Sequence, residues 1–191
     1  MPDKVKLTIT EALAEIKTIN KRLEKKRQSI IPYVARDVRI KDPMEKDGGS
    51  AKFIVQERQS INDLENRIIR IRTEIQKSNL VALMTVGGVG GEARTVSEWL
   101  TWRREVAEGQ KSLLNGITKG INSLRTEAQK VGGRVVGHNV ANVNIEQSSP
   151  PEVAVFVDEV ALLKELDRHE QTLGELDGKL SLFNATTIIE F

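Results

Sequence analysis

The sequence contains no cysteine, so disulfide bonds, thiolate metal ligands and cysteine nucleophiles are all excluded. Its two histidines, His138 and His169, stand far apart and at no spacing typical of a metal site. Aspartates and glutamates are numerous, but no spacing ties one of them to a second catalytic group. We therefore expect a chain that is not an enzyme and has no catalytic residues, no metal and no cofactor.

Long apolar runs and charge of a single sign are also missing. No window approaches the roughly 18 consecutive apolar residues that a membrane-spanning helix needs, and the first residues lack the apolar run of a signal peptide. The 29 basic and 27 acidic residues are interleaved, unlike the basic surface of a nucleic-acid binder. These patterns predict no membrane span, no nucleic-acid specificity, and a cytoplasmic location, or a virion location if the protein is phage-encoded.

Aromatic residues are scarce, so a core must be built mainly from isoleucine, leucine and valine. Hydrophobic residues make up 39% of the chain and charged residues 29%, which suits a folded core with a solvated surface. A length of 191 residues fits one domain. We expect a single helical-bundle domain over residues 1–191.

The clearest pattern is an aliphatic seam in the stretch 61–79. Its apolar positions step by three, four, three and four, which places them on one side of a helix, as in a coiled coil. Such a helix is unstable alone in water and needs partner helices. The seam consists of Ile61, Leu64, Ile68, Ile71 and Ile75.

Three further stretches show helical spacing, at about 9–31, 96–131 and 158–184. Capping boxes start two of them, Thr8 with Glu11 and Thr95 with Glu98, and Asp158 is a candidate cap for the last. The central helix is predicted to run from a cap at Ser50 to residue 79.

Glycines interrupt the third predicted helix. Gly109, Gly116 and Gly120 each cost about 1 kcal/mol relative to alanine inside a helix. We expect a kink or a close helix crossing there.

Short β-prone segments flank the helices. A hairpin with a glycine-rich tip at 87–91 is expected from 80–86 and 92–95. Further strands are expected at 5–8, 33–40 and 186–191, and residues 134–145 are expected to form an extended arm or a hairpin. The predicted fold is mainly α, with four long antiparallel helices in two helical hairpins and a small β-sheet or hairpins at one end.

The two halves of the chain resemble each other. Leu7–Leu13 and Arg94–Leu100 share a threonine, a β-branched residue, a hydroxyl residue, a glutamate and a leucine in register. This indicates pseudo-repeats at 5–86 and 92–191, although four-helix chains also share such patterns by chance.

The order of these elements, with TEAL at 10–13, ARTVSEWL at 93–100 and LFNATTII at 182–189, resembles the septicolysin-like family of small bacterial and phage proteins. Arg94, Thr95, Glu98 and Leu100 match one family segment, and Asn184, Thr186 and Thr187 match its C-terminal ending. Ala185 replaces the usual tryptophan, and Trp99 stands where the family has a small residue. The resemblance covers most of the chain. It implies a helical fold and no established function.

Two further features have two readings each, and His169 has one. Gly87–Gly91 is either a phosphate loop or a hairpin tip, and the following Glu92 favours the tip because its charge repels phosphate. The basic residues of 21–27 form either a contact for phosphate or an acidic partner, or a solvated face. His169 occupies a core-facing position, where we expect a buried polar layer with Asn20 or Arg103.

Several predicted helices carry more than one apolar stripe, which indicates that copies of the chain associate with one another. A four-helix core hides one stripe per helix, so the surplus is available to other copies of the chain. The candidate interaction residues are Trp99, Trp102, Ile69, Leu114, Ile188, Ile189 and Phe191.

These patterns predict a non-enzymatic structural protein that acts as a homo-oligomer or as a subunit of a larger particle, with itself and other structural proteins as partners. Its concrete form is a phage virion component such as a capsid decoration, neck or tail protein. The alternatives are a cytosolic bacterial adaptor or regulatory bundle and, as the family name suggests, a membrane-active cytolysin.

Overall fold

The computed structural model describes residues 5–87, 91–130, 134–136 and 152–191. Within them the fold is mainly helical, which confirms the predicted class. The chain divides into two compact units. The first consists of the chain up to Ala82 together with Leu180–Phe191, and the second consists of Leu83–Lys179. The predicted single domain over 1–191 stays a prediction.

The described elements follow the predicted order closely. Two 3₁₀ turns, Ile31–Tyr33 and Glu45–Asp47, lie between the first two helices, and a π-helical turn, Trp102–Val106, separates the third from the fourth. The strands and helices are β1 Lys6–Thr8, α1 Ile9–Ile30, α2 Ser50–Val81, β2 Leu83–Val86, β3 Glu92–Thr95, α3 Val96–Thr101, α4 Ala107–Lys130, β4 Arg134–Val136, β5 Glu152–Ala154, α5 Glu159–Thr186 and β6 Ile188–Glu190.

The first unit is a helical hairpin of α1 and α2 with the strand pair β1–β6. Lys26 pairs with Glu57 at 2.9 Å, while Glu15 pairs with Arg67, so the two helices run antiparallel. The α1 seam steps by three, four, three and four and is fully buried against α2 and β6. The core cluster consists of Ile9, Ala12, Ile16, Ile19, Leu23, Ile71, Ile75 and Ile189.

The second unit contains a second antiparallel helical pair, α4 and the part of α5 up to Lys179. Two ion pairs link α4 to α5, Lys111 with Glu170 at 3.0 Å and Arg125 with Glu159. Arg103 of the π-helical turn pairs with Asp177 of α5 at 3.0 Å. The β2–β3 hairpin is present as predicted. The two predicted helical hairpins are therefore confirmed, one in each unit.

The two antiparallel strand pairs share one register. In the first, Thr8 faces Ile188, and in the second, Thr95 faces Leu83. Both threonines are N-caps in complete capping boxes. In both pairs, the partner strand begins two residues after a long helix ends. The two junctions follow one plan, and the duplication stays a prediction.

The predicted repeat boundaries cut across the compact units. The strand that follows each long helix pairs with the strand that opens the other repeat: β2 with β3, and β6 with β1. Relative to the repeats 5–86 and 92–191, each compact unit therefore contains one strand of the other repeat: β6 lies in the first unit and β2 in the second.

The predicted strand at 33–40 is wrong. Ile31–Tyr33 forms a 3₁₀ turn around Pro32, and turns follow it. Asp37 accepts hydrogen bonds from the backbone and the guanidinium of Arg39, which offers the backbone a local alternative to a strand.

The predicted irregularity in the third helix lies earlier than its glycines. The π-helical turn Trp102–Val106 inserts one residue into the helical repeat. As a result Val106 is 42% exposed while Ala107 is 2% exposed and enters the core. A close helix crossing at Gly109, Gly116 and Gly120 is wrong for the described residues, because nothing lies within 4 Å of a Cβ added at any of the three.

Part of the predicted arm or hairpin at 134–145 is described. β4 pairs in parallel with β5, while residues 137–145, including His138, lie outside the described residues. Of the glycine-rich tip, residues 88–90 also lie outside them. The helices α2 and α5 each extend two residues beyond their predicted ends, to Val81 and Thr186.

The start of α2 is capped by an unexpected residue. Ser50 is not the cap but the first helical residue, and it is buried. Asp42, eight residues earlier, accepts hydrogen bonds from the Ser50 hydroxyl at 2.5 Å, the Ser50 N–H at 2.9 Å and the Met44 N–H at 2.9 Å. A carboxylate is favourable at a helix N-terminus. The Ser50 hydroxyl, followed by these backbone donors, lowers the pKa of Asp42 to about 2.

We expect Ser50→Ala to raise the pKa of Asp42 from about 2 towards its ordinary 3.8, because the largest cause of the shift is removed. A carbon-detected NMR titration of the Asp42 carboxyl measures this midpoint. Since the folded-state pKa is depressed, the contact stabilises the fold above the ordinary value, and that contribution is lost as the pH falls through about 2.

The matched control is Ser60→Ala on the same helix, which should leave the Asp42 midpoint unchanged. A wild-type midpoint near 3.8 would show that the cap does not form.

Candidate functional site

Three of the seven predicted interaction residues are buried and offer no surface to a partner. Trp99 donates its indole N–H to the Met84 carbonyl oxygen at 2.8 Å, which fixes it under the β2–β3 hairpin. Leu114 and Ile189 lie in the cores of their own units. Predicting these three as surface contacts was therefore wrong, because each packs against its own unit.

The other four residues remain accessible. Ile69 on α2 and Ile188 on β6 are exposed, and Trp102 and Phe191 are half-buried. Phe191 lies under the guanidinium of Arg67, 5.3 Å from ring centroid to cation.

The predicted polar layer does not form. Asn20 lies on the exposed side of α1, and Arg103 is exposed and paired with Asp177. Long polar side chains reach solvent or an ionic partner at little cost, which favours these positions over burial.

His169 does face inward, as predicted, but without the expected partners. Both of its ring nitrogens are buried, and neither has a hydrogen-bond partner among the described residues. Its ring lies 5.6 Å from the Trp102 ring at a tilt of 47°, and Trp102 in turn packs edge-on against Trp99. A polar ring is thus enclosed by aromatic neighbours.

His169 and Trp102 line a cavity of about 350 Å³ between α4 and α5 of the second unit. Its apolar wall is completed by Leu113 and Leu114, and its polar residues are Gln110, Glu165, Arg168, His169 and Thr172. The indole N–H of Trp102 donates to Gln110 Oε1 at 3.2 Å, and the Thr172 hydroxyl donates to the Arg168 carbonyl oxygen at 2.8 Å.

A second cavity of about 470 Å³ lies next to the first and shares Trp102, Gln110, Arg168 and Thr172 with it. Within the described part of the chain, the guanidinium of Arg168 and the carboxylate of Glu165 form no ion pair with each other or with any other group. Both charges are therefore available to a bound molecule.

Sequence reasoning singled out His169 and Trp102 but not the cavity. The cavity could have been predicted from polar residues that stand beside the apolar seams of two neighbouring helices. These residues are Gln110 on α4 and Thr172 on α5. No group of three or more potential metal ligands occurs among the described residues.

A second feature of this unit is an uncharged strip on the outer flank of α4. At 3.6 residues per turn its six positions fall within about 100° of the helix circumference. Leu113 and Leu124 are 64% and 52% exposed, and Ile117 is half-buried. We call this surface the α4 stripe; it consists of Gly109, Leu113, Gly116, Ile117, Gly120 and Leu124.

The basic segment 21–27 and the glycine-rich turn both have acidic partners within the protein. In the basic segment 21–27, Lys26 and Arg27 are paired with Glu57 and Glu65, which weakens any phosphate contact there. At the glycine-rich turn, the Gly87 N–H donates to the Glu175 carboxylate at 2.9 Å, so a negative charge already occupies that donor.

Among the described helices, none is long and apolar enough to cross a bilayer. Comparison with known proteins finds no matching family model, no matching curated protein and no matching solved structure.

We expect His169→Phe to stabilise the protein by about 1 kcal/mol or more, because a buried polar group without a partner costs about 1–3 kcal/mol. Phenylalanine keeps a planar ring against Trp102 and removes both nitrogens. Urea denaturation measures the difference.

His169→Gln is the control, since it keeps a polar group in the same place and should not stabilise. If phenylalanine is less stable than both glutamine and histidine, the nitrogens are satisfied in solution.

Proposed function

We propose that this protein is a non-enzymatic assembly protein whose copies associate through the α4 stripe. One observation carries the proposal: three glycines and three aliphatic residues share an accessible, uncharged flank of one helix, and the fold gives the glycines no internal use.

Glycine inside a helix is unfavourable relative to alanine by roughly 0.5–1 kcal/mol. At Gly109, Gly116 and Gly120 the space around an added Cβ is empty, so no contact within the chain requires a glycine. Close approach of a helix from another molecule does require one, because the missing side chains let two backbones come together.

The exposed leucines support the same interpretation. Leu113 and Leu114 are neighbours in sequence, yet Leu114 is buried in the core and Leu113 faces outward. Leu162 and Leu163 on α5 divide in the same way. Each helix therefore fills its own core with one stripe and keeps a second apolar stripe accessible.

A second copy of the chain is the partner that suits this surface. In a two-fold symmetric contact the same patch faces itself, so any charge in the patch would meet its like. None of the six residues of the α4 stripe is charged. Glycines facing glycines and leucines facing leucines give a contact without such repulsion.

The concrete form we propose is a subunit of a larger particle, a phage virion component such as a capsid decoration, neck or tail protein. This form is supported by the resemblance to the septicolysin-like family of bacterial and phage proteins together with the accessible apolar surfaces.

We expect Gly120→Ala to strengthen the fold of the protomer and to weaken its self-association. The added methyl has room in the protomer and should stabilise it by about 0.5–1 kcal/mol. At a close helix contact the same methyl should raise the dissociation constant roughly tenfold, a difference of about 1.4 kcal/mol. Thermal unfolding at low protein concentration measures the first effect, and sedimentation equilibrium measures the second.

Gly174→Ala is the matched control, because Gly174 is a helical glycine of the same unit with equally open space and lies on α5. It should stabilise the protomer and leave association unchanged. A wild-type protein that stays monomeric at high concentration would refute the proposed function, and so would equal association of the two variants.

A further inference from the structure

We propose that the cavity around Trp102 and His169 is a binding site for a small planar carboxylate, such as an aromatic acid. The proposed assembly function uses one residue of this cavity's lining, Leu113. The inference rests on its size, its hydrogen-bond donors and its aromatic wall, and it stands or falls separately from self-association.

The size suits a small molecule. Ligand pockets usually measure about 300–1,000 Å³ and combine an apolar lining with a few convergent polar groups. The cavity of about 350 Å³ lies at the lower end of this range, which fits a single ring with one substituent.

The walls suit a flat apolar body. The indole of Trp102 and the imidazole of His169 lie 5.6 Å apart at a tilt of 47°, and Leu113 and Leu114 supply aliphatic surface. An aromatic ring gains from offset or edge contacts with such a pair beyond the burial of its area.

The polar groups are mainly hydrogen-bond donors. The Gln110 oxygen already accepts from Trp102, which leaves its amide N–H₂ free to donate. The guanidinium of Arg168 has no ion pair within the described residues. Gln110 and Arg168 both line the cavity, and a carboxylate accepts from both of them.

One group in the lining disfavours an anion, namely the carboxylate of Glu165. Glu165 and Arg168 are both exposed, so solvent screens both charges, and a preference for a carboxylate requires the guanidinium to outweigh the carboxylate. Glu165 also defines the competing outcome, since a cationic ligand would pair with it.

Benzoate, benzylammonium and benzyl alcohol share a benzene ring and differ in the charge of its substituent. Comparing their dissociation constants therefore shows which charge the cavity prefers. The chain has two tryptophans, so labelling with 5-fluorotryptophan gives two ¹⁹F signals, and Trp102→Phe identifies the one from the cavity. We expect benzoate to move the Trp102 signal saturably, with a dissociation constant on the order of 1 mM, and to bind roughly tenfold more tightly than benzyl alcohol.

Arg168→Gln should abolish that roughly tenfold preference, which is the effect expected for one lost charged hydrogen bond. Arg104→Gln is the control, because Arg104 is a strongly exposed arginine of the π-helical turn that pairs with Glu105 and does not line the cavity.

Three outcomes would overturn the proposal. The first is the absence of a saturable shift at about 20 mM benzoate, where a site with a dissociation constant of ~1 mM is nearly filled. The second is tighter binding of benzylammonium than of benzoate. The third is an equal effect of Arg168→Gln and Arg104→Gln on benzoate binding. Loss of self-association in Gly120→Ala with benzoate binding intact would show that the two proposals are independent.

Discussion

A capped helix start held by a neighbouring strand is the local unit on which both halves of this structure depend. In each antiparallel ladder, the strand before the capped helix ends in a threonine that faces the first residue of the strand following a long helix. The Thr8 N–H donates to the Glu11 carboxylate at 2.8 Å, and the Glu11 N–H donates to the Thr8 hydroxyl at 3.2 Å. The backbone N–H of Thr8, followed by its hydroxyl, lowers the pKa of Glu11. One short sequence thereby fixes the end of a strand, the start of a helix and the register of a ladder.

That repeated junction carries two different cores. In the first unit, Ala12 follows the cap, and the α1 seam continues without interruption to Leu23. In the second unit the equivalent position is Trp99, whose indole reaches the Met84 carbonyl oxygen. The π-helical turn then shifts the seam so that Ala107 becomes the next buried residue. The larger side chain of Trp99 and the residue inserted by the π-helical turn thus occur together in the second unit. Trp102, which lines the cavity, is the first residue of that turn.

The sequence pattern was sufficient to predict an element wherever the apolar periodicity and the capping residues indicate the same boundaries. The α2 seam, both capping boxes, the Asp158 cap and the β2–β3 hairpin all follow from local spacing, since each depends on residues fewer than about fifteen apart. Asp158 accepts from the backbone N–H groups of Val160 and Ala161, as a cap should. The seam rule also identified His169 as inward-facing.

Other features were unpredictable because they depend on long-range choices. Asp42 caps α2 from eight residues away, so the signal at Ser50 was real but assigned to the wrong partner. Trp99, Leu114 and Ile189 read as surplus apolar residues, because periodicity does not reveal which of two adjacent stripes faces the core. The glycines of α4 predicted a close helix crossing, but no such contact exists within the described chain.

The α4 stripe and the His169 cavity share one physical property: each departs from what the fold alone would select. Alanine at Gly116 or Gly120 would suit α4 better, and an apolar ring at residue 169 would leave no buried nitrogen unpaired. Natural sequences are locally consistent with their folds except where another requirement intervenes. The two departures differ in kind, since the glycines lack a neighbour that occupies space and the histidine lacks a neighbour that accepts or donates a hydrogen bond. A close helix from a second molecule would supply the first neighbour, whereas the His169 nitrogens are enclosed and out of reach of a ligand in the cavity, so the two departures need separate explanations.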